Sequence, residues 1–123
     1  MKTLIIIGGF YCLSFAIFHL AFWKIFDWKT DLPKLSDINR GVMQVLNLRL
    51  TYILLVFAFI SFCFNAELLT SDLGKVILGA ISLFWLMRAI EQTLFWQFGD
   101  KISIAFFAIF LFGAAIHFLP LIL

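Results

Sequence analysis

Four apolar runs constrain this chain more than any other feature of its sequence. They cover approximately residues 4–23, 41–64, 75–98 and 102–121. A helix needs about 20 apolar residues to cross the hydrocarbon core of a bilayer, so each run is long enough to span it. The pattern therefore predicts an all-α fold, a four-helix transmembrane bundle with antiparallel neighbours and short loops.

Composition points to the same class of protein. The chain is 64% hydrophobic and 13% charged, whereas a soluble domain is about half apolar and a quarter charged. Because the four runs leave no room for a soluble domain, we expect residues 1–123 to form a single integral membrane domain. Its first partner is then the lipid bilayer. The basic residues follow the membrane edge and form no patch for nucleic acid.

The polar loop at residues 24–39 separates the first two runs and determines the expected topology. Lys and Arg near the ends of spans are enriched on the cytoplasmic side. On the side of this loop the basic residues are Lys24, Lys29, Lys34, Arg40 and Lys101, and on the other side they are Lys2 and Lys75. We therefore expect a multi-pass protein with loop 24–39 and turn 99–101 in the cytoplasm and both termini outside.

Local signals predict where the helices begin and end. Ser36 is suited to the N-cap of the second helix, and Thr70 or Ser71 to that of the third. Gly99 is suited to the C-terminal cap of the third helix and Asp100 to the N-cap of the fourth. The third and fourth helices should therefore form an antiparallel hairpin.

Small residues recur along the first run. Gly8, Cys12 and Ala16 have four-residue spacing, which lets another helix approach closely. His19 continues this face and should point into the bundle. Cys12 and Cys63 form no Cys-x-x-Cys motif, which argues against a paired-thiol redox enzyme. We expect both cysteines to be small apolar residues in packed helices.

Charged residues inside the third run are the strongest indication of a site. An ionised side chain at the bilayer centre costs about 2.5–3.5 kcal/mol, and such residues commonly mark function. Arg88 and Glu91 are three residues apart, and so they are neighbours on a helix surface. We expect these two to form an ion pair, with Asn47 or Gln92 beside them.

The second run carries a matching polar face, formed by Arg40, Gln44, Asn47 and Thr51 within an arc of about 60°. At 1.5 Å per residue, Asn47 and Glu91 both lie about 9–10 Å below the cytoplasmic end of their helices. The predicted ligand-binding residues are therefore Arg40, Gln44, Asn47, Arg88, Glu91 and Gln92. The weaker candidates for a catalytic role are His19 and Glu91. The competing interpretation is structural, with the polar groups fixing helix packing.

His117 lies near the outer end of the fourth run, where interfacial packing is the expected role. It is about 16 Å from His19 along the membrane normal, which excludes a haem or metal shared by the two histidines within one copy. No zinc spacing or nucleotide-binding glycine pattern is present. The sequence therefore predicts no metal and no cofactor.

The start of the second run, Arg40-x-x-x-Gln44-x-x-Asn47, distantly resembles that of small four-helix membrane families such as the MAPEG proteins. Those proteins are trimers of similar size, and several members bind glutathione and lipid substrates between subunits. The family pattern ends in an acidic residue, whereas Leu50 and Thr51 stand nearby here. The resemblance implies that a site between subunits of a homo-oligomer is possible.

Three functions remain open on the sequence. The leading hypothesis is a small polytopic membrane protein with a cytoplasm-facing intramembrane polar pocket that serves as a transporter, a channel or a binding site for a small polar or lipidic ligand. The second is an integral-membrane enzyme acting on a lipophilic substrate, in which His19 or Glu91 is the general base and Arg88 holds an anionic head group. The third is a membrane scaffold or assembly subunit, which a lipid-facing stripe of small residues would mark.

Overall fold

A computed structural model describes residues 1–96 and 99–123 of the chain. In chain order its helices are α1 (Lys2–Leu20), α2 (Phe22–Ile25), α3 (Trp28–Asp31), a 3-10 turn (Leu32–Lys34), α4 (Asp37–Cys63), α5 (Asn65–Thr70), α6 (Asp72–Phe95) and α7 (Lys101–Ile122). The helices α1, α4, α6 and α7 are each long and apolar enough to cross a membrane. No strand occurs in the described ranges. The predicted all-α four-helix bundle is confirmed.

Helix α1 is the central element of the packing. It contacts α4 and α7, while α6 packs on α7 and on the short α5. The small-residue face of α1 is buried at Gly8, Cys12 and Ala16, as the spacing predicted. Gly8 permits a close approach of α7, because a Cβ added there would lie 2.8 Å from Nε2 of His117.

The outer surface of the bundle is apolar. Large side chains that point away from the core include Phe59, Leu73 and Ile102, which are 57%, 70% and 67% exposed. A water-soluble chain would bury such side chains, whereas lipid tails solvate them. The protein is therefore a multi-pass integral membrane protein in contact with the bilayer.

The predicted polar loop 24–39 is more ordered than its composition indicates. It folds into α3 and the 3-10 turn, and it buries Trp28 and Leu32 to 5% and 2% exposure. Asp27 precedes α3 in the left-handed conformation, at φ 51°. Arg40 holds the segment in place, because its guanidinium donates hydrogen bonds to the carbonyl oxygens of Leu32 and Leu35, both at 3.0 Å. The segment therefore covers one end of the bundle.

Several predicted helix ends are correct. The Ser36 hydroxyl accepts a hydrogen bond from the Asn39 amide at 3.3 Å at the start of α4. Ser71, rather than Thr70, caps α6, because its hydroxyl accepts from the Gly74 amide at 2.9 Å.

The junction between α6 and α7 differs from the prediction. Helix α6 ends at Phe95 and its cap residue Trp96 is extended, so Gly99 does not cap the helix. The last residues of the predicted span 75–98, residues 97 and 98, lie outside the described ranges. Asp100 occupies the N-cap position of α7, but its side chain makes no capping hydrogen bond.

His117 and Cys63 differ in burial. His117, for which interfacial packing was expected, is 1% exposed and packs inside the bundle. Glycines at positions 8 and 113 leave room for side-chain rings between α1 and α7, and the His117 ring packs against Gly8. Cys12 is buried as expected, whereas the prediction is wrong for Cys63, which is the last residue of α4 and is exposed.

Candidate functional site

A cavity of about 650 Å³ lies at the end of the bundle that the loop covers. Its walls come from all four long helices, and the segment between α1 and α4 contributes Trp28 and Leu32. Pockets that bind small molecules typically enclose about 300–1,000 Å³ and are mostly apolar with a few placed polar groups. This cavity has both properties.

Aromatic rings form much of the cavity wall. Trp85 stacks on Phe110 with ring centroids 5.9 Å apart and planes at 14°. Phe110 also contacts Phe15 and Phe106, at centroid distances of 5.4 Å and 5.8 Å. Such contacts among rings from α1, α6 and α7 produce a stiff wall, because each ring is held by several others.

Arg88 is the cation of this cavity. Its guanidinium carbon lies 4.5 Å from the centre of the Phe110 ring and 4.9 Å from that of Trp96, which are cation–π distances. The Nη1 atom is buried and has no hydrogen-bond partner among the described residues. Leaving a buried donor unsatisfied costs about 1–3 kcal/mol, and more for a charged group.

The predicted ion pair between Arg88 and Glu91 is absent. Within the described ranges the ion pairs shorter than 4.0 Å join Lys34 to Asp31 and Arg40 to Asp37. Glu91 is exposed and does not line the cavity. Spacing of three residues makes two side chains neighbours, but here Arg88 turns towards the rings of Phe110 and Trp96.

His19 and Asn47 form a reciprocal pair between α1 and α4. The Nδ1 of His19 lies 2.8 Å from Oδ1 of Asn47, and Nδ2 of Asn47 donates to the backbone carbonyl of His19 at 3.0 Å. Because the amide oxygen only accepts, Nδ1 carries the proton and Nε2 remains free to accept. His19 and Arg88 both line the cavity.

The other predicted site residues divide into two groups. Gln92 lines the cavity, where its amide donates to the Ser103 hydroxyl at 3.0 Å and joins α6 to α7. Arg40, Gln44 and Asn47 do not line it, contrary to the prediction. Arg40 binds loop carbonyls instead, and Gln44 donates to the Arg40 carbonyl at 3.1 Å. Thr51 is buried and donates to the Asn47 carbonyl at 2.8 Å. The structure thus brings His19, Arg88 and Gln92 to one cavity.

Two carboxylates also border the cavity, at Asp31 and Asp100. Both are exposed, and the Asp31 carboxylate lies 3.5 Å from the Lys34 ammonium with 62% of its side chain exposed. Their exposure identifies them as the rim of the cavity. The cavity therefore has a cation inside and two carboxylates at its rim, one of them paired with Lys34.

Sequence reasoning missed the aromatic wall and the covering segment. The phenylalanines were too numerous to single out, because at helical spacing they indicate core or lipid contact as readily as a site. Trp28, Leu32 and Leu35 did leave a signal, since their spacing of four and three residues gives the loop one apolar face. That face now lines the cavity.

A second buried pair lies away from the cavity. His117 donates from Nδ1 to the Gly113 carbonyl at 2.7 Å, which leaves Nε2 facing the Cys12 thiol at 3.7 Å. Neither residue lines the cavity. Among the described residues, no three His, Cys, Asp or Glu side chains are grouped as a metal site would require.

In comparisons with protein families, with curated proteins and with solved structures, nothing matched this chain. The likeness to the MAPEG proteins therefore rests on the polar start of α4 alone.

Proposed function

We propose that this integral membrane protein binds an amphipathic ligand in the cavity between its four long helices. The single observation that carries the proposal is Arg88, a cation held against aromatic rings inside a cavity of about 650 Å³. A charge at membrane depth is expensive, and side chains that accept this cost commonly serve a ligand or an ion. The apolar wall favours a ligand with a hydrophobic part.

The cavity lies on the side of the loop between α1 and α4, which we propose faces the cytoplasm together with the turn before α7. The asymmetry of basic residues supports this orientation. In that orientation the rim carboxylates Asp31 and Asp100 meet water, and the apolar wall faces the interior of the membrane. A ligand would reach Arg88 from the cytoplasmic half of the bilayer.

Binding is better supported than transport or channel activity. A chain of four helices cannot easily enclose a transport pathway alone, so transport would require a homo-oligomer in which a second copy completes the pathway. Catalysis with both predicted groups finds less support, because His19 lines the cavity and Glu91 does not. A scaffold role also finds less support, because the small-residue stripe of α1 is buried inside the bundle.

The proposal is tested by photolabelling in lipid nanodiscs with a diazirine-bearing analogue of oleyl alcohol or oleic acid. We expect labelling that excess unlabelled oleyl chain competes away, on peptides that contain the cavity wall. Leu50 lines the cavity, whereas Leu48 on the same helix is exposed. Leu50→Trp should therefore suppress the saturable labelling, and Leu48→Trp should not. Labelling that neither saturates nor distinguishes these variants would show lipid contact alone and would contradict the proposal.

A further inference from the structure

The charge balance within the cavity indicates what kind of head group it accepts. Arg88 provides a positive charge behind a rim whose carboxylates are exposed, and one of these is already paired with Lys34. No carboxylate of the described residues lies within ion-pair distance of Arg88. The interior of the cavity therefore holds a cation without a counter-charge.

The contacts of Arg88 leave its hydrogen-bonding capacity unused. Rings of Phe110 and Trp96 lie against the guanidinium at 4.5 Å and 4.9 Å, and they attract its charge through their faces. The buried Nη1 still has no acceptor among the described residues. A guanidinium presents its N–H groups as a planar fork that matches the two oxygens of a carboxylate or phosphate.

The remaining wall fits a hydrocarbon chain. Beyond Arg88 the lining is aromatic and aliphatic, from Phe15 and Phe18 on α1 to Leu54 on α4 and Phe84 on α6. A small free anion would occupy the Arg88 end and leave these side chains facing an empty apolar space. An acid that carries an apolar chain uses both parts of the cavity.

On these grounds, and resting on the function proposed above, we infer that the ligand is an acidic amphiphile whose carboxylate or phosphate pairs with Arg88 and whose chain lies along the aromatic wall. His19 also lines the cavity, and among the described residues its Nε2 has no hydrogen-bond partner once Nδ1 donates to Asn47. A head group that carries a proton or a hydroxyl could therefore donate to this nitrogen.

The test measures displacement of the photoreactive oleyl probe by ligands that share one chain and differ in the head group. These are oleic acid, 1-oleoyl lysophosphatidic acid, oleyl alcohol and oleylamine, with acetate and inorganic phosphate as chainless anions. We expect the two acidic amphiphiles to displace the probe at concentrations about tenfold or more below those that the alcohol and the amine require. A hydrogen bond within a charge pair strengthens binding by about this factor. The more potent of the two acids then identifies the head group.

The matched variants are Arg88→Gln and Arg49→Gln. Arg49 is exposed on α4 and lies outside the cavity. Its replacement by glutamine removes the same charge as Arg88→Gln does, but not from the cavity. We expect Arg88→Gln to abolish the preference for acids and Arg49→Gln to retain it. Arg88→Lys keeps the charge but loses the fork, so it should keep part of the preference and also serves if the glutamine variant fails to fold.

The two proposals fail in different ways. Equal displacement by oleic acid and oleyl alcohol in the wild-type protein would overturn the acidic head group and leave an amphiphile-binding cavity. Displacement by acetate or phosphate alone, at the same concentration as by the amphiphiles, would overturn the role of the chain. The absence of any saturable probe binding would overturn the proposed function itself.

Discussion

Two glycines on α6 should respond oppositely to the same substitution. A Cβ added at Gly74 would overlap the carbonyl oxygen of Glu67 and approach the Leu68 Cα to 2.5 Å. Both obstacles are backbone atoms of α5, and Leu68 is 1% exposed, so the corner between α5 and α6 cannot open cheaply. A Cβ added at Gly79 would meet nothing closer than Leu121 at 3.9 Å.

The magnitudes follow from these distances. Overpacking of this kind costs about 1–3 kcal/mol, so Gly74→Ala should lower the free energy of unfolding by about that amount. Gly79→Ala should raise it by up to about 1 kcal/mol, because alanine favours a helix over glycine. The two variants should therefore differ by about 1–4 kcal/mol.

The assay is reversible unfolding of the purified protein in mixed micelles with increasing sodium dodecyl sulfate, followed by circular dichroism. The wild type and both alanine variants are compared at one protein concentration. Equal stability of the two variants, or a more stable Gly74→Ala, would refute the close packing of α5 against the start of α6.

Three more predictions follow from particular contacts. Asn47→Ala removes both hydrogen bonds to His19 and should destabilise the protein by about 1 kcal/mol, at roughly 0.6 kcal/mol for each bond; the same unfolding assay measures it, and an unchanged stability would refute the pair. In detergent, Cys63 should react with N-ethylmaleimide while buried Cys12 reacts only after denaturation, so intact-mass spectrometry of the native protein should show one added label and not two. In cells, a membrane-impermeant maleimide should fail to label Lys29→Cys in a Cys63→Ser background until the membrane is permeabilised; labelling of intact cells would reverse the proposed topology.

The class of fold could be predicted from the sequence because each transmembrane helix is specified locally. A run of about 20 apolar residues and a capping serine at position 36 or 71 act within a few turns of chain. The stripe of Gly8, Cys12 and Ala16 was readable for the same reason, since helical spacing alone puts the three residues on one face.

The site could be predicted only in part, because it depends on which neighbouring residue each polar side chain contacts. Arg88 was identified from its cost in lipid, Gln92 from its position beside Arg88, and His19 from the small-residue face of the first helix. All three line one cavity. Their partners were not predictable from spacing. Arg88 faces rings rather than Glu91, and Gln92 donates to Ser103 on α7. Such choices depend on helix rotation and on where glycines leave space, which a single sequence does not specify.

The fold of the loop was missed because tertiary contacts outweigh its local composition. Six charged residues between positions 24 and 37 indicate a solvated connection. Burial of Trp28 and Leu32 under the bundle, together with the bonds from Arg40 to the loop carbonyls, holds this segment against the cavity. The spacing of Trp28, Leu32 and Leu35 indicated an apolar face, but the charged composition of the loop outweighed this signal.

The most direct test of the central claim is a distance between the ligand head group and Arg88 in a bilayer. Solid-state NMR with carboxyl-¹³C oleic acid and protein carrying ¹⁵N-labelled arginine side chains measures the carbon–nitrogen dipolar coupling between them. We expect a coupling that corresponds to an ion-paired carboxylate, lost in Arg88→Gln and retained in Arg49→Gln. A coupling that is absent from the wild-type protein, or that survives in Arg88→Gln, would contradict the assignment of Arg88 as the ligand's counter-charge.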